Sequence, residues 1–265
     1  MINTKLLSLN EFKKKQNYYL SIKQFPVNIF NLHGYLSLYE NDTDKAYFFI
    51  CENNNEILIY PFLLCTIPGQ NKYKDIRSPY SFGGPTSNTG NKTFIKNSYK
   101  QLREILIELN VICEVVKFNP YIPYINEILD SYDGKVIKER DLVLIDFDKL
   151  DSSNILNTYR KDCRKKIKKI NIENMEFKID IGNQSNQIRE FRKVYELNLD
   201  YLNANKNYYY NDDFYNSLMT NYSDYFLIFS TYVNNELATS QLLIYDSNNI
   251  YCQMYGAIEK ARKNN

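Results

Sequence analysis

The stretch 47-YFFICENNNEILIYPFLLC-65 contains two apolar runs, residues 47–51 and 57–65, which are separated by a polar segment rich in asparagine. Aromatic and β-branched residues dominate both runs, and such residues are enriched in strands. Asparagine tolerates the backbone conformations that tight turns require. The stretch therefore predicts a β-hairpin, and the first part of the fold is expected to assemble around it.

Helical and strand patterns alternate on both sides of this hairpin. Apolar spacing predicts helices at residues 9–16, 95–109, 122–129, 187–202 and 212–220, and strands at 112–118 (mostly buried), 142–147, 225–232, 237–245 and 250–256. A further helix is predicted over about 151–170, with N-cap candidates at 151–153. This order predicts an α/β fold with mixed (α+β) sheets, divided into units of residues 1–150 and 151–265.

Composition excludes several classes of protein. The chain has 265 residues, of which 44% are hydrophobic and 24% charged, so a folded protein is expected rather than a disordered one. A net charge of +2 argues against a generally basic, DNA-coating protein. The five cysteines form no C-x-x-C pair, so neither a zinc site nor a disulfide framework is indicated. The sequence lacks an apolar leader or a run of membrane-spanning length, which predicts a cytoplasmic protein.

The segment 78-SPYSFGGPTSN-88 contains the only paired glycines, Gly83 and Gly84, in a chain with eight glycines in total. Glycine permits positive φ and close approach of the backbone to another group, while the flanking prolines stiffen the segment. Two interpretations are open: the segment contacts a ligand, or it forms only a tight turn. His33 is the one histidine, and nothing near it in sequence suggests a nucleophile system.

The segment 159-YRKDCRKKIKK-169 is strongly basic. Arg160 and Arg164 lie one helical turn apart, and their guanidinium groups match the geometry of phosphate oxygens. Three other interpretations are open: a solvated helix face whose long stems cover the core, contact with an anionic membrane leaflet, or binding of nucleic acid.

Four segments together resemble the FemA/FemB/FemX-like branch of the GNAT acyltransferases. They are the Ser-Pro-Tyr-Ser-Phe-Gly-Gly-Pro loop, 115-VVKFNP-120, the basic helix, and 201-YLNANKNYYYN-211 with the strands that follow it. The resemblance implies two tandem GNAT-like units. It also implies transfer of an acyl or aminoacyl group, from acyl-CoA or aminoacyl-tRNA, to an amine or hydroxyl of a cell-envelope or polysaccharide precursor. No tightly bound cofactor or metal is implied, and acyl-CoA would act as a co-substrate.

The same resemblance assigns candidate site residues. Those implied to bind the acceptor are Tyr80, Ser81, Phe82, Gly83, Gly84, Lys117, Arg160, Arg164, Tyr201 and Tyr208, and those implied to pair with acyl-CoA through their backbone are Cys252, Met254 and Tyr255. Lys117 and Asn119 stand where the family has Arg and His, and Tyr201 stands where many relatives have Arg. These departures leave the sequence without a nameable catalytic base.

The resemblance also implies that the second unit is incomplete. If residues 250–256 form its fourth strand, the glycine-rich turn that would hold the CoA pyrophosphate has no counterpart in the remaining sequence. Two explanations are then expected: a C-terminally truncated product or fragment of a longer protein, which is the favoured one, or a shortened relative that completes its sheet by dimerising. An alternative function follows, namely a non-catalytic binding module that retains only the acceptor cleft.

Overall fold

The chain forms a mixed α/β fold with two sheets, as predicted. The computed structural model describes residues 2–21, 25–150, 154–169, 174–182 and 185–263. The first half contains β1 (Asn3–Ser8), α1 (Leu9–Ser21), α2 (His33–Ser37), β2 (Asp44–Asn53), β3 (Glu56–Thr66), β4 (Lys74–Arg77), β5 (Thr86–Ser87), α3 (Lys92–Glu108), β6 (Val111–Val115) and α4 (Ile125–Ser131). The second half contains α5 (Ile155–Thr158), α6 (Lys161–Lys169), β7 (Met175–Ile181), α7 (Ser185–Tyr201), α8 (Asp212–Asn221), β8 (Phe226–Val233), β9 (Glu236–Tyr245), β10 (Ile250–Ala257) and α9 (Glu259–Lys263).

The predicted hairpin is confirmed and lies at the centre of the first sheet. β2 and β3 pair in antiparallel register, with Phe48 opposite Pro61, and Asn54 in the turn has a φ of +46°. The strand order is β1-β2-β3-β4-β6, and β5 also pairs with β3. Neighbouring strands are antiparallel except β4 and β6, which are parallel.

Alternation along β2 builds a core on each face of this sheet. Phe48 and Ile50 face α1 and α2, whereas Phe49 and Cys51 face α3 and α4, and all four are fully buried. Because both faces of the sheet are buried, residues 47–51 of β2 are apolar without the alternating polar positions of a half-exposed strand. α3 starts at Asn91, whose side-chain oxygen accepts hydrogen bonds from the first backbone N–H groups of the helix.

The second sheet is antiparallel, in the order β10-β9-β8-β7. Helix α7 packs against β8, β9 and β10 on one face. The opposite face carries apolar side chains, and on β7 Phe177, Ile179 and Ile181 are 53%, 62% and 61% exposed. Only one face of this sheet is therefore covered by the described residues.

The two halves repeat one topology. The order β1-α1-α2-β2-β3-β4 in the first half corresponds to β7-α7-α8-β8-β9-β10 in the second, and in each half the four strands lie side by side in chain order. The first half continues with α3 and β6, which pairs in parallel with β4. In the first half, α3 and α4 cover the sheet face that corresponds to the open face of the second sheet.

Residues 29–38 of the first half pack into the core of the second. Ile29, Phe30 and Tyr35 are fully buried in a cluster that includes Phe191 and Phe226. The Tyr222 hydroxyl, also in that cluster, donates to the carbonyl oxygen of Ile29 at 3.1 Å. The two halves are thus joined by a continuous hydrophobic core.

Two strand predictions were wrong. Residues 142–147 form no strand: Val143 is 95% exposed, and the segment ends in a 3₁₀ turn at Phe147–Lys149. High strand propensity produces a strand only where a neighbouring strand is available for pairing. Residues 112–118 were predicted to be mostly buried, but β6 is an edge strand with Ile112 and Val115 exposed.

Other boundaries also differ from the predictions. The helix predicted over 151–170 is two helices, α5 and α6, which are separated at Tyr159 and Arg160. Its N-cap candidates at 151–153 and its last residue, Ile170, lie outside the described residues. The strands β1, β4, β5 and β7 were not predicted, because each is short or carries a mixed polar pattern.

The contact between α2 and α8 predicts that Gly34 is intolerant of substitution. A Cβ at Gly34 would overlap the carbonyl oxygen of Asn221. We expect Gly34→Ala to lower the free energy of unfolding by about 2–3 kcal/mol, measured by urea denaturation. As a control, Gly69 has no heavy atom near its Cβ position but a φ of +76°, so Gly69→Ala should cost about 1 kcal/mol. Equal midpoints for wild type and Gly34→Ala would contradict this packing.

The half-buried carboxyl group of Glu114 predicts a pH dependence of stability. The Tyr60 hydroxyl donates to Glu114, and burial raises the pKa of that carboxyl above its ordinary value despite this hydrogen bond. A raised pKa in the folded state adds stability at low pH, and this contribution is lost as the pH rises through the folded pKa. Glu114→Gln should therefore gain stability relative to wild type between pH 4 and pH 7.5, measured by urea titration. Glu108→Gln, at an exposed position, is the control. A difference in unfolding free energy between Glu114→Gln and wild type that does not change with pH would show that the pKa of Glu114 is not raised.

Candidate functional site

The loop of residues 78–84 is positioned by the one parallel strand pair of the first sheet. Because β4 and β6 run in the same direction, the segments that follow them leave the same edge of the sheet. The N–H of Ser78 donates to the Val115 carbonyl at 3.0 Å, and the N–H of Gly83 donates to the Lys117 carbonyl at 2.8 Å. An isolated parallel bridge joins Gly83 to Phe118. Ligand sites of α/β sheets favour this position, at the carboxyl ends of parallel strands.

Gly83 and Gly84 are each required for a different reason, one steric and one conformational. At Gly83, a Cβ would lie 2.6 Å from the Ser78 Cβ, so the side chain is excluded by close approach of the loop to itself. Gly84 has a φ of +84°, which L-residues rarely adopt. Ser81 also has a positive φ, +72°. Turn geometry and packing thus account for the glycine pair, in agreement with the tight-turn interpretation.

A network of buried asparagine side chains and backbone groups forms hydrogen bonds with the end of the loop. The Asn31 side chain donates to the Gly84 carbonyl and to the Thr86 hydroxyl, both at 2.9 Å. Asn119 donates to the Asn28 side-chain oxygen at 3.2 Å, and its own N–H donates to the Gly83 carbonyl at 3.3 Å. Asn119 stands where the resembled family has His, and here it holds the loop in place.

The loop contacts the second half through Tyr35. The Tyr35 hydroxyl donates to the backbone carbonyl of Tyr80 and accepts a hydrogen bond from the Gln253 side chain at 3.0 Å. Gln253 is the extra residue of a β-bulge in β10, and it also donates to Tyr39 at 3.3 Å. Its side-chain oxygen is buried without a hydrogen-bond partner among the described residues. One hydrogen-bonded chain therefore connects the loop to β10.

Aromatic rings surround the same junction. The ring of Phe82 packs edge-to-face against Phe30, with centroids 5.3 Å apart, and lies 6.2 Å from the ring of Tyr251 on β10. On the outer side, the rings of Tyr80 and Tyr208 are 6.2 Å apart, and each residue is 42% exposed. Phe82 is thus part of the packing, whereas Tyr80 and Tyr208 present ring faces to solvent.

Burial at the junction favours the neutral, protonated form of three tyrosines and one cysteine. Burial raises the pKa of the Tyr80 and Tyr195 hydroxyls, and it raises the pKa of Tyr251 to about 12. Burial likewise raises the pKa of the Cys252 thiol, so little thiolate is present. These groups can donate or accept hydrogen bonds, but none is poised to act as a general base.

Lys117 makes a surface ion pair. Its ammonium lies 3.5 Å from the carboxylate of Glu139. Arg140 and, to a lesser extent, Lys117 lower the pKa of Glu139. The backbone of Lys117 anchors the loop, whereas its side chain points to this exposed partner.

The remaining predicted acceptor residues have other contacts. Arg164 donates to the Asn157 carbonyl at 3.1 Å, within its own segment, and Arg160 lies just before α6. The ring of Tyr201, at the end of α7, stacks under the guanidinium of Arg262 at 4.0 Å. None of the contacts described for these residues involves the loop.

The three residues predicted to pair with acyl-CoA all lie on β10. Met254 points into the core and is buried, whereas Cys252 and Tyr255 are exposed on the uncovered face of the sheet. β10 is an edge strand, so one side of its backbone has no neighbouring strand among the described residues. The ring of Tyr251, next to Cys252, lies 6.2 Å from the ring of Phe82, so this part of β10 is beside the loop.

No signal in the sequence identified three residues of this site, Tyr35, Tyr39 and Gln253. In a chain with 25 tyrosines no single tyrosine stands out, and a glutamine in a strand pattern gives no signal of a bulge. His33 has the structural role that was expected, since its ring contacts the Gln16 side chain at 2.9 Å. A shallow depression on the outer side of α7, lined by Arg189, Arg192, Lys193, Glu196, Leu197 and Asp200, contains none of the predicted residues.

The described residues contain no group of three His, Cys, Asp or Glu side chains placed to hold a metal ion. In the same part of the chain, every helix is too short or too polar to cross a bilayer. Comparison of the sequence with protein-family models and with curated proteins finds no match.

The link between loop and β10 predicts the effect of removing one hydroxyl. Tyr35→Phe leaves the partly buried Tyr80 carbonyl without its donor. We expect a loss of about 1–3 kcal/mol in the free energy of unfolding. Amide hydrogen exchange at Gly83 should also become faster. Tyr18→Phe, at an exposed position, is the control; unchanged stability and exchange in Tyr35→Phe would show that the link does not hold the loop.

Proposed function

We propose that the chain is an acyl- or aminoacyltransferase of the FemAB-like GNAT type, acting on a cell-envelope or polysaccharide precursor in the cytoplasm. One observation carries the proposal: the loop of residues 78–84 and the edge strand β10 meet at the junction of the two halves. An acceptor held by the loop and a donor held by β10 would bring their reacting groups together there. The repeated strand and helix order of the two halves supports the tandem architecture on which this class is built.

The acceptor side is formed by the exposed rings of Tyr80 and Tyr208 together with Ser81. Tyrosine rings offer flat apolar faces with a polar tip, which suits the mixed surfaces of sugars and peptides. The eight residues from Ser78 to Pro85 carry no charge. This chemistry favours an uncharged part of the acceptor at the loop.

The donor side is the edge of β10 near Cys252; at Tyr255 the backbone carbonyl already accepts a hydrogen bond from the Asn198 side chain at 3.5 Å. An extended chain that contains amide groups can pair with an exposed strand edge through main-chain hydrogen bonds. The bulge at Gln253 leaves one residue outside the regular ladder, so its backbone groups can bond to another molecule. The pantetheine arm of acyl-CoA has the required form, and aminoacyl-tRNA is the second donor that fits the class.

In this reaction the protein positions the two substrates, and no protein side chain acts as a nucleophile. The acceptor nitrogen or oxygen attacks the donor carbonyl carbon, and the bond from that carbon to the thiol or tRNA oxygen breaks. The acceptor loses its proton to water or to the leaving group. Alignment of two substrates can supply a large part of the rate enhancement, which is consistent with the raised pKa values of Tyr80, Tyr195, Tyr251 and Cys252.

The second candidate is a binding module that retains only the acceptor cleft. The observation that favours it is the same lack of a general base among the residues at the junction. The two candidates differ in donor binding, because only the enzyme requires β10 to hold a donor.

Donor binding is tested by thermal unfolding of the chain with acetyl-CoA, with adenosine as a control ligand. A donor at about 100 times its dissociation constant should stabilise the chain by roughly 2.7 kcal/mol, so the midpoint should rise. Transfer of labelled acetyl to amine-bearing nucleotide sugars is then measured. A shift with the nucleotide sugar alone would favour the binding module, and no shift with either ligand would defeat both acyl-CoA transfer and the acceptor cleft.

Truncation of the tyrosine at the loop tests the acceptor side. Tyr80→Ala removes the ring but keeps the backbone carbonyl that Tyr35 binds. We expect acceptor affinity to fall by up to about ten-fold, the value of one aromatic contact, with acetyl-CoA affinity unchanged. Tyr18→Ala removes an exposed ring on α1 and should leave both affinities unchanged. Equal effects of the two substitutions on acceptor affinity would remove the loop from the proposal.

A further inference from the structure

The segment of residues 133–169 has no buried side chain among its described residues, 133–150 and 154–169; β7, which follows it, also buries none of its residues but pairs with β8. Every helix and strand elsewhere contributes to one of the two sheets or to their covering layers. α5 and α6 bury none of their residues. This segment is thus anchored to the fold only through its two ends and a few surface contacts.

The second half of the segment concentrates positive charge. Residues 154–169 contain seven cations and one carboxylate, Asp162; the cations are Arg160, Lys161, Arg164, Lys165, Lys166, Lys168 and Lys169. Among the described residues, none of the seven forms an ion pair. The acidic groups of residues 133–150 instead pair with cations outside α6, as Glu139 does with Lys117 and Asp146 with Lys149. The charge of α6 is therefore available to an external partner.

The first half of the segment concentrates exposed apolar surface. Val143 is 95% exposed, Phe147 68% and Leu144 61%, and their neighbours Leu142 and Ile145 are 46% and 47% exposed. On α6, Cys163 and Ile167 lie one turn apart on one face of the helix, and neither is buried. Folded proteins rarely expose a continuous apolar run of this kind without a partner.

We propose that residues 142–150 and 154–169 form a binding surface for an anionic lipid bilayer. Cations attract the negative headgroups, while apolar side chains of the same segment enter the boundary between headgroups and acyl chains. Nucleic acid would satisfy the seven cations, but its phosphate backbone gives no reason for five apolar side chains among six consecutive residues to face solvent. The combination of unpaired charge and exposed apolar side chains in one segment favours the bilayer. This inference does not depend on the proposed transferase function.

The test uses the full chain and cosedimentation with vesicles. Vesicles of phosphatidylcholine that contain phosphatidylglycerol are compared with vesicles of phosphatidylcholine alone. We expect binding only to the anionic vesicles. Each cation near the membrane surface should contribute about a five-fold change in affinity, so Lys165→Gln, Lys166→Gln, Lys168→Gln and Lys169→Gln combined should abolish binding.

A matched variant controls for net charge. Lys14→Gln, Lys15→Gln, Lys96→Gln and Lys100→Gln remove the same charge from exposed positions on α1 and α3. This variant should bind anionic vesicles nearly as well as wild type. Equal loss in the two variants would overturn the proposal, because it would show that binding follows net charge alone.

The apolar contribution separates a bilayer from nucleic acid. Val143→Ser with Phe147→Ser changes only exposed side chains, so folding should be preserved, as the far-ultraviolet circular dichroism spectrum would show. This variant should lose at least about ten-fold in vesicle affinity. Absence of binding to anionic vesicles by the wild type would overturn the proposal. Vesicle affinity that is unchanged in the apolar variant, together with tight binding of a short homopolymeric RNA, would overturn it in favour of nucleic acid.

Discussion

The buried hydroxyl of Tyr35 connects the parts of this protein that matter for a site. It lies between the loop carbonyl of Tyr80 and the side chain of Gln253, so one group fixes both the loop of the first sheet and the bulge of the second. Tyr35 can occupy this position because residues 29–38 leave the first half of the chain and enter the core of the second. The junction is therefore set by hydrophobic packing, and the hydrogen bonds determine the orientation of the groups within it.

The parallel pair β4 and β6 gives the junction its location. In an otherwise antiparallel sheet, this pair directs two consecutive segments to the same edge, where Gly83 and Phe118 form a bridge. The buried side chain of Asn31 and the backbone N–H of Asn119 then donate to the carbonyl oxygens of Gly84 and Gly83, which would otherwise be unpaired. The loop is consequently a rigid part of the first half, which is the property that a substrate platform requires.

Among the described residues, two apolar surfaces are uncovered, and they differ in charge. The open face of the second sheet, which includes Phe177 and Phe229, is a regular sheet surface next to β10 and the candidate donor site. Residues 142–150 are instead irregular, and their exposed apolar side chains precede α6, whose cations form no ion pair within the described part of the chain. This second surface combines apolar side chains with strong positive charge, which is the reason for proposing an anionic bilayer as its partner.

The sequence alone determined the α/β class, the central hairpin, the main helices and the loop of paired glycines, because each of these depends on local periodicity or on turn chemistry. The tertiary structure decided which strands pair. Residues 142–147 have the propensity of a strand but no partner, whereas β7 has a weaker pattern and pairs with β8. Tyr35, Tyr39 and Gln253 could not be predicted to meet, because Tyr35 and Gln253 are separated by more than two hundred residues and are brought together only by the shared core. Long-range contacts of this kind depend on packing between halves, which no local pattern in the sequence records.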